Sequence, residues 1–195
     1  MHLATTPEAN DLLDRDPLAL LIGMLLDQQV PMEKAFTSPA VLAERMGTSS
    51  DGRPALDARA IADADPARLE EWFRTPPALH RYPASMAQRT QTLCARLVEQ
   101  YGGDAAQIWA GVDTGAELLA RLKDLPGFGE QKAKIFVALL GKQRGVTPDG
   151  WERAAGDYGT AGFRSVADVL DDASLAKVRA TKQEAKAKAK AAKKG

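Results

Sequence analysis

The stretch "PLALLIGMLLDQQ", Pro17 to Gln29, is apolar on nearly every side of a helix as far as Leu26. A helix with no polar face cannot lie on a surface, so other helices must surround it at the centre of the molecule. Ile135 to Leu140 has the same character. Two core-spanning helices so far apart in sequence predict an all-α architecture of two interlocking lobes, with the amino- and carboxy-terminal segments packing together. At 195 residues and 45% hydrophobic, the chain is large enough to bury such a core.

Helix signals dominate the rest. Thr6-Pro7, Ser38-Pro39 and Asp65-Pro66 each set a capping side chain before a proline at the first helical position, where the missing N–H costs nothing. Thr114 and Glu117 have the spacing of a capping box. Strand-like alternation is absent over any useful length. Helices are expected near 7–14, 17–28, 31–36, 39–46, 57–63, 66–74, 84–101, 115–123, 130–143, 151–157, 166–170 and 174–192, with "TSSDGRP" as the clearest loop. The domain boundary is placed at 175, followed by a Lys/Ala-rich tail over 176–195.

"DLPGFGEQKAKIF", Asp124 to Phe136, interrupts this pattern with two glycines and follows them with positive charge. Glycine permits positive φ and lets another backbone approach. The first N–H groups of the following helix lack partners and sit at the positive end of its dipole. Together they form a phosphate-sized anion site, reinforced by Lys132 and Lys134. No strand precedes the motif and no Ser or Thr follows Lys132, so it is not a nucleotide-binding loop. A short connector between helices is the plain alternative.

"LPGFGEQKA" resembles the second half of a helix-hairpin-helix, and the surrounding chain resembles the helix-hairpin-helix DNA glycosylases, the superfamily of endonuclease III and the adenine mismatch and alkyladenine glycosylases. "DPLALLIGMLLDQQV" is similar to the family's early buried helix and "YPASMAQRTQTLCARLVEQYGGD" to the helix before the hairpin, so the likeness covers roughly residues 16–160. The resemblance implies that Gly127, Phe128, Gly129, Gln131, Lys132, Lys134 and Gln29 meet double-stranded DNA carrying a lesion or mismatch. Gln29 takes the position that fills the space of a flipped nucleotide; a plain helix cap is the alternative.

In that family an aspartate two dozen residues beyond the hairpin leucine serves the base-excision chemistry, and here Asp149 lies 24 residues after Leu125. Its Asp-Gly is equally an ordinary turn sequence opening a helix, and Trp151 departs from the usual pattern. The lysine nucleophile of strand-cutting members is replaced by Gln131. The resemblance thus implies a monofunctional glycosylase that flips a base, hydrolyses its glycosidic bond and leaves an abasic site. Tyr82 and Trp151 are candidate walls of the base pocket, or core aromatics. Arg81 and Arg89 are candidate phosphate contacts, or solvated surface charge.

The charge is unevenly spread: from Lys177 onward there are eight Lys or Arg and one Glu, a net +7, so in a chain of zero net charge the remainder carries −7. A cationic arm suits sequence-independent attraction to DNA; solubility alone is the other reading. The Ala/Lys run has little apolar face and is expected to fray.

Cys94, the sole cysteine, precludes an intrachain disulfide and four-cysteine iron–sulfur ligation, and with only His2 and His80 a zinc site is not expected. No cofactor is expected. Neither a signal peptide nor the roughly 20 apolar residues of a membrane span is read. The expectation is a monomeric, cytoplasmic, nucleoid-associated protein of bacterial type. Two alternatives remain open at this point: a helix-hairpin-helix protein that binds damaged or distorted DNA without chemistry, and a scaffold in which Gly127 and Gly129 are mere connectors.

Overall fold

The computed structural model describes residues 1–192; Lys193, Lys194 and Gly195, the end of the expected basic tail, lie outside the described residues. The protein is all-α. Its helices are α1 (Pro7–Arg15), α2 (Pro17–Leu26), α3 (Met32–Met46), α4 (Ala58–Ala62), α5 (Pro66–Arg74), α6 (Pro83–Tyr101), α7 (Gly115–Lys123), α8 (Glu130–Arg144), α9 (Trp151–Ala155) and α10 (Asp172–Ala192). Within the expected loop, Ser49–Ser50 pairs with Arg53–Pro54 in a two-residue antiparallel hairpin.

Local chemistry sets most boundaries. Thr6 accepts from the Ala9 N–H, Asp65 from Arg68 and Thr114 from Glu117, as side-chain caps should. The Thr114 box is only half formed, because the Glu117 carboxylate is taken by Arg121 at 2.7 Å. Ser38 does not cap a helix. α3 continues through Pro39, and the buried Ser38 Oγ lies 2.8 Å from the carbonyls of both Lys34 and Leu79, which share its one hydrogen. An interior proline forfeits a helical hydrogen bond. Here Ala35 and Phe36 before it and Leu42 and Ala43 after it bury one continuous face, which holds the helix together.

Every residue of α2 from Leu18 to Leu26 is buried. α3 packs so closely on it that a Cβ at Gly23 would lie 2.6 Å from Phe36 Cδ1, so the crossing requires glycine there. α8 buries Ala133 and Phe136 through Leu140. Both helices belong to one contiguous core running from Leu3 to Val178. α10 runs across residue 176, as the helix expected over 174–192 does, and Val178 with the partly buried Leu175 gives its first half an apolar face.

Loop carbonyls are gathered by long side chains from distant elements. Gln91 Nε2 donates to the carbonyls of Ile61, Ala62 and Ala64, and Gln143 Nε2 to those of Val166, Ala167 and Val169. Lys142 meets the buried Asp168 carboxylate at 2.6 Å, which ties the 160–169 segment to the end of α8.

Candidate nucleic-acid interface and base site

The hairpin between α7 and α8 is held against the carboxy-terminal end of α2. A helix leaves its last carbonyls without partners, and all four in α2 are satisfied. Gly23 accepts from the Asp27 N–H at 3.1 Å, Met24 from Lys132 Nζ at 2.8 Å, Leu25 from Lys132 Nζ at 2.7 Å and from Gln28 Nε2 at 2.9 Å, and Leu26 from the Gln28 N–H at 2.7 Å. Lys132 is therefore turned inward. It was expected to meet a phosphate, but its ammonium neutralises the negative end of a helix dipole instead. Burial lowers its pKa from the ordinary lysine value to about 8, against the opposing pull of Asp27.

The two glycines divide the work. Gly127 has φ +85°, and a Cβ there would lie 2.4 Å from Leu25 Cδ1, so this glycine serves the packing of the hairpin on α2. Gly129 opens α8, and a Cβ added to it would meet nothing within 4 Å. The open approach to the free N–H groups of the helix start is at Gly129. Phe128, expected at the interface, is 3% exposed and packs edge-on against Phe136 at 5.9 Å between ring centres; an aromatic between two glycines has the apolar core as its nearest neighbour.

Lys134 remains on the surface, paired with Glu130 at 2.9 Å. Hydrogen bonds from Lys123 and Lys134 hold the Glu130 carboxyl down at about 2. Such an exposed pair exchanges readily for a phosphate.

Beyond α2 the chain passes through Gln29, an exposed non-glycine residue at φ +56°. Strained backbone of this kind persists only where its surroundings impose it. His80 supplies part of that support: its Nδ1 accepts from the Tyr82 N–H at 3.1 Å, which leaves Nε2 to donate to the Gln28 carbonyl at 2.9 Å. Burial lowers the His80 pKa. Arg89 reaches Gln28 Oε1 at 3.4 Å, and Arg81 stacks over the Tyr82 ring at 4.9 Å. Tyr82 is 43% exposed, and its N–H is tied through His80 to the Gln28 carbonyl. Asp27, at the end of α2, has its pKa raised by burial, with Lys182 and Lys132 acting in the opposite sense.

A groove of about 690 Å³ opens where α8 begins, between its exposed face, the segment after α9, and α10. Gln131, Lys134, Asp157, Tyr158, Arg164 and Lys182 line it. Gln131 Nε2 donates to Tyr158 Oη at 2.9 Å. The volume is in the range of small-ligand sites, about 300–1,000 Å³.

Asp149 lies elsewhere. Its N–H donates to the Asp113 carbonyl at 3.0 Å and its own carbonyl accepts from Gly115 at 2.7 Å, a short parallel bridge that fixes it at the start of α7. The glycine turn follows the end of that helix, roughly 13 Å away at the 1.5 Å rise per residue of an α-helix. Asp149 lines a depression of about 450 Å³ with Thr114, Leu119 and Arg153, none of which borders the groove at Gln131. Trp151 packs inward: a Cβ at Gly141 would lie 2.4 Å from two atoms of its ring. An indole beside a glycine in the helix above it finds a flat apolar seat, so its part is structural.

Residues 22–194 match the family model described as HhH-GPD superfamily base excision DNA repair protein. The chain belongs to the HhH-GPD superfamily. Base excision repair and DNA binding follow from that membership. No curated protein and no solved structure gives a significant match to the chain. Among the described residues, no group of three or more His, Cys, Asp or Glu is placed to hold a metal ion, and no helix is long and apolar enough to cross a membrane.

Lys182 falls within the expected basic tail, but Tyr158, Asp157 and Arg164 are not among the residues singled out from sequence. The one local signal for Asp157 and Tyr158 is "GDYG", an aromatic and a carboxylate flanked by glycines after a helix.

Proposed function

We propose that this HhH-GPD protein is a monofunctional DNA glycosylase acting on a damaged or mispaired base in duplex DNA. The observation that carries the reading is the groove at the start of α8, which opens beside the hairpin at Gln131. Phosphates on either side of the lesion meet the N–H groups at Gly129 and the side chain of Lys134. Gln29, already in a left-handed turn on the exposed edge, enters the duplex as the nucleotide leaves it. The base lodges beside Gln131 and Tyr158.

Cleavage of the glycosidic bond leaves positive charge on the sugar, which a fixed carboxylate at short range stabilises while water adds. Asp157 is on the wall of this groove, and we assign it that part. Asp149 has the family spacing but opens into the separate depression by Thr114, and is the second candidate. Gln131 stands where strand-cutting members place their lysine nucleophile and supplies no amine there, and Lys134 and Lys182 are assigned to phosphate and charge at the groove rim, so the product is an abasic site with an intact strand.

The test is base release from duplexes that each carry one defined lesion, developed with alkali, with Asp157→Asn and Asp149→Asn run beside the wild type. Release that disappears in Asp157→Asn and survives in Asp149→Asn supports the assignment; the reverse pattern moves the chemistry to Asp149. Strand cutting without alkali, or a covalent adduct trapped by borohydride, contradicts the monofunctional reading. Binding to every duplex with release from none leaves a non-catalytic protein of damaged DNA.

A further inference from the structure

Gln131 and Tyr158 come from elements 27 residues apart and meet at 2.9 Å on the wall of the groove. The Tyr158 oxygen accepts from the Gln131 amide, so its own hydrogen is left to donate. Among the described residues neither that hydrogen nor Gln131 Oε1 has a protein partner. The pair offers the groove a donor beside an acceptor. Hydrogen bonding to each other fixes their spacing, which is what separates a recognition element from two mobile surface side chains.

The charges around the pair narrow what it can receive. Lys134, Arg164 and Lys182 border the groove, against the single carboxylate of Asp157, and Tyr158 is its one aromatic wall residue. A cationic base would meet like charge and lack the facing aromatic rings that attract cations.

From this placement we infer that the groove selects a neutral base with a lactam edge, a ring N–H next to a carbonyl, the Tyr158 hydroxyl donating to the carbonyl and Gln131 Oε1 accepting from the N–H. Deaminated and oxidised bases carry that edge; N3-methyladenine, a cationic base with no ring carbonyl, does not present it. Intact guanine and thymine carry it too, but their pairing and stacking make extrusion costly. The inference rests on the glycosylase reading above and specifies its substrate class.

Single-turnover release is measured from duplexes containing uracil, hypoxanthine or an oxidised purine lactam, and from duplexes containing cationic N3-methyladenine. The expected result is release of at least one lactam base and no cationic base, with Tyr158→Phe and Gln131→Ala each slowing release about tenfold at an unchanged unfolding midpoint. Release of the cationic purine alone, or wild-type rates in both variants, overturns the inference while the glycosylase reading stands. Binding with no release from any duplex removes that reading, and the inference falls with it.

Discussion

Lys132 Nζ donates at 2.8 Å to the carbonyl of Met24, a residue 108 positions earlier in the chain. The contact fastens the hairpin to the end of the central helix, so the open helix start at Gly129 and the strained turn at Gln29 are held on one packed unit. The charge that looks most like a DNA contact in sequence is spent inside the fold, on the carbonyls of Met24 and Leu25.

Lys132→Met should cost about 1–3 kcal/mol, because the Met24 carbonyl loses its partner in a half-buried setting. The pH dependence separates this from a simple packing loss. The Lys132 pKa is about 8 when folded, below its reference of 10.5, so between these values the unfolded chain binds more protons. Stability from this group therefore rises with pH across that window. Urea midpoints from pH 8 to 10 should diverge between wild type and Lys132→Met, the wild type gaining relative to the variant. Parallel curves would contradict the inward placement.

Glycine substitutions should part stability from binding. Gly127→Ala puts a side chain at φ +85° and against buried Leu25, and is expected to lower stability by at least about 1 kcal/mol. Gly129→Ala meets no protein atom and should leave the unfolding midpoint near wild type while weakening DNA binding. Calorimetry with fluorescence anisotropy on both variants decides this.

Salt titrations should distinguish the two lysines. If Lys134 exchanges Glu130 for a phosphate, Lys134→Ala lowers the slope of log K against log salt by about 0.9. Lys132→Met should leave the slope as it was. A full unit lost on removing Lys132 would mean that it reaches DNA after all.

His80 should make the edge at Gln28 and Tyr82 sensitive to acid. Its folded pKa lies below the reference of 6.5, and a proton on Nδ1 would break the bond from the Tyr82 N–H. Below pH 6.5 the unfolded chain takes up the proton first, so the stability held above that pH is lost as pH falls toward the folded value. His80→Gln, less stable at neutral pH, should show a flatter loss between pH 6.5 and 5; an equally steep one would place the acid sensitivity elsewhere.

What the sequence determined by itself is whatever short-range chemistry controls. The all-apolar run from Leu18 to Leu26 had to be a central helix, Thr6, Asp65 and Thr114 had to cap, and the glycines of "LPGFG" had to turn the chain between α7 and α8. Each depends on neighbours within a few residues. Tertiary packing decided the rest: α3 survives Pro39 because the core takes up the buried residues on both sides of it. The site was the least legible part. Whether Lys132 points out to a phosphate or in to Met24, whether Trp151 walls a pocket or sits on Gly141, and whether Gln131 finds Tyr158 are all settled by partners that proximity in the chain does not supply. A long polar side chain satisfies its hydrogen bonds with whatever the fold brings within reach, and only the folded chain brings those groups there.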